Sequence, residues 1–150
     1  MLISLSAIVC ETGPVASADD WWAMAAAIAE GAVLANLAWM RRRQLAELDV
    51  KRLRLRYTPR PALHVGESLG QGIRLAPAIV HDREGSCIDL SCYCAALSRL
   101  RGRIDARVEF RIDPIKQRGH ALVVGSGFEF DPMISLLSAG SREPDSEEKS

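Results

Sequence analysis

At 150 residues the chain has room for one domain and short appendages. Nineteen basic side chains balance nineteen acidic ones, which excludes a general nucleic-acid binder held by an overall positive charge. Four cysteines, Cys10, Cys87, Cys92 and Cys94, are too few for a disulfide scaffold at this length and are expected to be thiols.

Residues 1–20 begin apolar and end acidic, with no Lys or Arg to open a signal peptide, and are expected to form a short extracytoplasmic tail. Trp21 to Met40 has about the twenty residues that a bilayer-spanning helix needs. Trp21, Trp22 and Trp39 mark its ends, and Arg41, Arg42 and Arg43 follow, which predicts a cytosolic C-terminal side. Glu30 lies near the middle of this span, where an unpaired carboxylate costs about 2.5 to 3.5 kcal/mol. A partner helix, in a homodimer or a larger membrane complex, is expected to neutralise it; the alternative is a protonated glutamate in a single-pass anchor, or an amphipathic helix lying at the surface. Ala23, Ala27, Gly31 and Ala35 line one face with small side chains, so together with Glu30 they are the expected contacts to a second transmembrane helix or membrane complex. The helix is predicted to continue through Val50, with the arginines also touching anionic lipid.

From Arg52 the pattern alternates, and Pro59 fixes a bend before a series of short strand-like runs. Ala106 to Ile112 is the clearest, with Val108, Phe110 and Ile112 on one face. Shorter runs occur at 62–65, 72–80, 87–91, 95–97, 120–124 and 127–130, separated by turn-forming stretches. This predicts a mainly β fold, in which one transmembrane and juxtamembrane helix (21–50) precedes a small barrel or sandwich (51–137). Residues 132–138 are expected to make a closing helical turn, and 138–150 a disordered acidic tail.

RYTPR (Arg56 to Arg60), followed by PALHV and later by DLSCYC (Asp89 to Cys94), resembles the PilZ domain family, whose signature is RxxxR before the first strand and (D/N)xSxxG later. The likeness covers residues 56–131. It implies a six-stranded β-barrel that binds cyclic di-GMP through Arg56, Arg60, Asp89, Ser91 and the position of Cys94, where the family's glycine is replaced. The chemistry suits that ligand, since guanidiniums grip phosphate and guanine O6 and N7, and a carboxylate accepts from guanine N1 and N2. The implied function is a non-enzymatic, membrane-anchored receptor in the cytoplasmic membrane with its N-terminus outside. The alternative is an accessory subunit whose PilZ-like domain docks protein without nucleotide.

His81, Cys87, Cys92 and Cys94 match no familiar zinc spacing. No resident cofactor or metal is expected, and neither is a nucleophile arrangement that uses His64 or His120.

Overall fold

The computed structural model describes residues 7–8, 17–58, 72–113 and 118–135. In chain order the elements are β1 (Ala7–Ile8), α1 (Ala18–Met40), α2 (Leu45–Leu48), α3 (Val50–Leu53), β2 (Arg56–Tyr57), β3 (Ile73–Arg74), α4 (Ala76–Asp82), β4 (Glu84–Gly85), α5 (Cys87–Leu100), β5 (Arg107–Asp113), β6 (Arg118–Gly125) and β7 (Phe128–Phe130). Helix dominates. The sheets are small: β1 pairs with β3, β2 runs parallel to β4, and β5, β6 and β7 form an antiparallel meander with β6 in the middle.

The expected mainly β, six-stranded barrel is therefore overturned. The runs at 87–91 and 95–97 belong to the single helix α5, and most of the run at 72–80 belongs to β3 and α4. The runs at 106–112, 120–124 and 127–130 do become β5, β6 and β7, and residues 132–135 form the closing turn. The tails at 1–6, 9–16 and 136–150 and the segment 59–71, with Arg60 and the expected strand at 62–65, lie outside the described residues.

α5 organises the fold. Ser86 caps it and forms a capping box with Asp89: the Ser86 Oγ accepts from the Asp89 N–H (3.4 Å), and Asp89 Oδ2 accepts from the Ser86 N–H (3.0 Å). The other end closes in a Schellman motif. Gly102 adopts a left-handed φ of 106° there, Arg103 N–H donates to Ser98 C=O, and Gly102 N–H donates to Arg99 C=O. Every residue from Ile88 to Leu97 is buried, so the helix has no solvent face to betray its period. Tyr93 donates to the Leu48 carbonyl (2.7 Å) and ties α2 to it, and Ser91 donates to the Ala121 carbonyl on β6 (3.0 Å).

Helix α1 starts at Ser17, whose Oγ accepts from the Asp20 N–H, with Asp19 and Asp20 complementing the helix dipole in the first turn. It ends at Met40, and the chain turns through 41–44 before α2, so the helix expected to run to Val50 is broken there. It is long and apolar enough to cross a membrane. Its buried face, Ala25, Ala29, Ala32, Val33, Asn36, Leu37 and Met40, packs within the chain against α5 and β5. Ala23, Ala27 and Gly31 point outward and Ala35 is half-buried. Glu30 is neutralised from α5, where Arg99 makes a two-pronged pair with it (2.8 and 2.5 Å) while also donating to the Ala106 carbonyl (2.8 Å). The charge of Glu30 is thus met from within this chain.

Candidate functional site

Gly85, Ser86 and Cys87 form the entry to α5. A Cβ at Gly85 would sit 3.0 Å from Asp89 Cβ and 3.2 Å from Leu90 Cδ2, so only glycine lets the incoming strand approach the helix this closely. Ser86 is the cap, which places Cys87 at the first helical position with its side chain half-buried. The N–H groups of a helix's first turn have no carbonyl within the helix to bond. Cys87 therefore stands at the positive end of a helix dipole, in a turn where the capping box meets the Ser86 and Asp89 N–H groups.

Across from it, the middle strand β6 carries His120. Its Nε2 lies 2.6 Å from Asp131 Oδ2, and Cys87 is the first influence on the protonation of the ring. Asp131 follows β7 directly and is itself fixed, because its Oδ1 accepts from the Met133 N–H (3.0 Å) and its carbonyl from the Ser135 N–H (3.1 Å) as the closing turn begins. The register that sets β7 against β6, from Val123↔Phe130 to Gly125↔Phe128, brings the end of β7 to His120. At the hairpin, Gly125 leaves the space that the Phe128 ring occupies.

The hydrogen bond to Cys87 is the largest influence raising the His120 pKa, with Asp131 adding to it against the opposing effect of burial; together they push it up to about 9. The ring therefore holds a proton at neutral pH. Cys92 and Cys94 are different. Both are buried in α5, and burial pushes their thiols up, Cys94 to about 12, where sulfur is unreactive. Cys87, His120 and Asp131 are three residue types that on unrelated folds serve as nucleophile, base and orienting carboxylate, and here the imidazole–carboxylate pair is formed.

The residues expected to bind nucleotide do not share such a pocket in the described chain. Arg56 is exposed on β2 and pairs with Glu84 (3.7 Å). Asp89 is fully buried, and besides the capping box its Oδ1 accepts from the Arg74 N–H (2.8 Å). Ser91 and Cys94 are buried in the same helix, Ser91 bonded to β6. Asp89 and Ser91 lie on α5 and not on the strand-like run expected at 87–91, so they are turned by about 200° from each other. His81 pairs with Asp82 (2.9 Å) at the end of α4.

Sequence reasoning missed Cys87, His120 and Asp131 as a set. The available signal was Ser86 three residues before Asp89 ahead of an apolar run, a helix-start signature that puts Cys87 at a helix N-terminus. Comparison of the chain with protein-family models, with curated proteins and with solved structures found no match. The site therefore rests on its own geometry.

Proposed function

We propose that this protein is a cysteine-dependent enzyme that cleaves or transfers acyl groups, with Cys87 as nucleophile, His120 as acid and base, and Asp131 as the group that orients His120. The observation that carries this reading is the His120–Asp131 pair (2.6 Å) together with a half-buried cysteine at the start of α5 that is the first influence on the protonation of that imidazole.

In the first half of the reaction the Cys87 sulfur attacks the substrate's carbonyl carbon, and the proton of the pair resides on His120. The tetrahedral adduct collapses as the bond to the leaving group breaks, and His120 gives that group its proton, leaving an acyl thioester on Cys87. In the second half His120 takes a proton from water or from an acceptor amine or alcohol, which attacks the thioester. The carbon–sulfur bond breaks, the proton returns to the pair, and the acid or new acyl product departs. Asp131 accepts from Nε2–H throughout and holds the ring in register.

This reading is preferred to a membrane-anchored cyclic di-GMP receptor or a docking subunit because Asp89 and Ser91 are spent on backbone groups inside the fold, where they cap α5 and tie it to β6. An anchor inserted in the cytoplasmic membrane with its N-terminus outside also competes with the fold. In lipid, α1 would have to give up its packing on α5 and β5 and the Glu30–Arg99 pair.

The test is brief exposure of the native protein to iodoacetamide and to p-nitrophenyl acetate at neutral pH, with the modified sites mapped by mass spectrometry. Cys87 is expected to be alkylated and acetylated while Cys92 and Cys94 stay unmodified. Nitrophenol release that survives in Cys87→Ala, or a Cys87 no more reactive than the buried pair, overturns the proposal.

A further inference from the structure

Helix α1 buries one face against α5 and β5 and leaves the other open. The outer face of a helix packed on a core is ordinarily polar, yet every exposed position between Asp20 and Arg41 is alanine, Gly31, Met24 (37 % exposed) or Leu34 (53 % exposed). The one charged residue in that stretch, Glu30, is already met by Arg99.

This face is aligned on a single residue. At about 100° per residue, Asp20, Met24, Ala27, Leu34 and Ala38 all fall within about 60° of Gly31, which lies midway between Asp20 and Arg42. A glycine inside a helix destabilises it relative to alanine. A Cβ at Gly31 would meet nothing within 4 Å, so no packing contact inside the chain calls for glycine there.

The ends of the face carry opposite charges. Asp19 and Asp20 are exposed on the first turn of α1, and the exposed Arg41, Arg42 and Arg43 follow its last. Two such helices laid antiparallel bring each acidic end to the other's basic end, and a two-fold axis at Gly31 sets Met24 opposite Ala38 and Leu34 opposite Ala27. Large side chains then meet small ones, and the missing Cβ at the crossing shortens the distance between the axes.

We propose that the outward face of α1 binds a second copy of this chain, in an antiparallel two-fold dimer whose helices cross at Gly31. The inference is separate from the Cys87 reading and does not depend on it. A lipid surface suits the face less well, because the tryptophans that would anchor there are engaged within the chain. The Trp22 ring packs on Phe110 (5.9 Å between centroids), and the Arg43 guanidinium lies over Trp39 (3.6 Å). The dimer leaves the packing of α1 on α5 and β5 and the Glu30–Arg99 pair in place.

Sedimentation equilibrium of the full chain over a concentration series tests this, with twice the chain mass as the expected result. Gly31→Leu puts a side chain into the crossing while its Cβ meets nothing in its own chain. It is expected to raise the dimer dissociation constant roughly 10-fold or more and to leave the far-ultraviolet circular dichroism unchanged. Asp20→Arg and Arg42→Asp are each expected to weaken the dimer, and the double variant to restore it, as only the antiparallel order allows. A wild type that stays monomeric throughout, a Gly31→Leu protein that dimerises like wild type, or a double variant no tighter than the singles overturns the proposal. So does a monomer that floats with phosphatidylglycerol vesicles, which assigns the face to lipid.

Discussion

In the His120→Ala protein, acetylation of Cys87 by p-nitrophenyl acetate is expected to be slower than in wild type by roughly 10²- to 10⁴-fold, the contribution usual for a positioned acid–base group. The reason lies in the contacts of one ring. His120 pairs with Asp131, and Cys87 is the first influence on its protonation, so in the proposed mechanism its removal takes away the proton acceptor, the donor to the leaving group and the link to the carboxylate together. The loss is expected in the rate and not in the fold, because His120 is half-buried at the sheet's edge of the site while the β6 core positions Ala121, Leu122, Val123 and Val124 are untouched. Stopped-flow detection of nitrophenolate measures it. A variant that acetylates Cys87 at the wild-type rate would mean that the sulfur acts without the imidazole.

The second large effect is on stability, and it falls on a residue first read as a ligand contact. Asp89→Ala is expected to cost roughly 3 kcal/mol or more, since two backbone N–H groups, of Arg74 and Ser86, lose a charged acceptor at a buried position and each such bond is worth about 1.5 to 3 kcal/mol. Against the 5 to 15 kcal/mol that holds a typical domain folded, this is a large share. Urea unfolding followed by far-ultraviolet circular dichroism checks it, with a midpoint well below wild type as the expected result. The same change frays the turn that carries Cys87, so alkylation of Cys87 should lose its advantage over Cys92 and Cys94 under conditions where the variant is still folded. An unchanged midpoint would contradict the role assigned to the capping box.

The sheet was legible because β5 and β7 alternate, with Val108 and Phe110 half-buried against the core while Arg107 and Arg111 are exposed, and because β6 is a short apolar run between turn-forming stretches. Helix α5 was not. A helix buried on all sides carries small and apolar residues at every position, and its run of Ser91 to Leu97 reads equally as pieces of strand. The Asp-x-Ser spacing then suggested two groups on one strand face, although on a helix Asp89 turns back to the cap and Ser91 turns toward β6. In α1 the helix itself and the need to neutralise Glu30 were both readable. The source of the cation was not, because Arg99 lies far along the chain on α5. The small-residue stripe at Ala23, Ala27 and Gly31 drew attention to the outward face, while the buried one runs through Ala25, Ala29 and Val33. The proposed set was hidden for a related reason: Cys87, His120 and Asp131 sit on a helix start, a strand and a strand end, and only the packing of α5 on β6 joins them.

The contact between sulfur, imidazole and carboxylate is tested most directly by titrating His120 with nuclear magnetic resonance in the wild type and in Cys87→Ala. The structure predicts a His120 pKa near 9 in the wild type, raised first by its bond to Cys87 and then by Asp131, and a clear fall toward the ordinary histidine value when the sulfur is removed. A His120 that titrates near 6.5 and ignores the loss of Cys87 would contradict the triad.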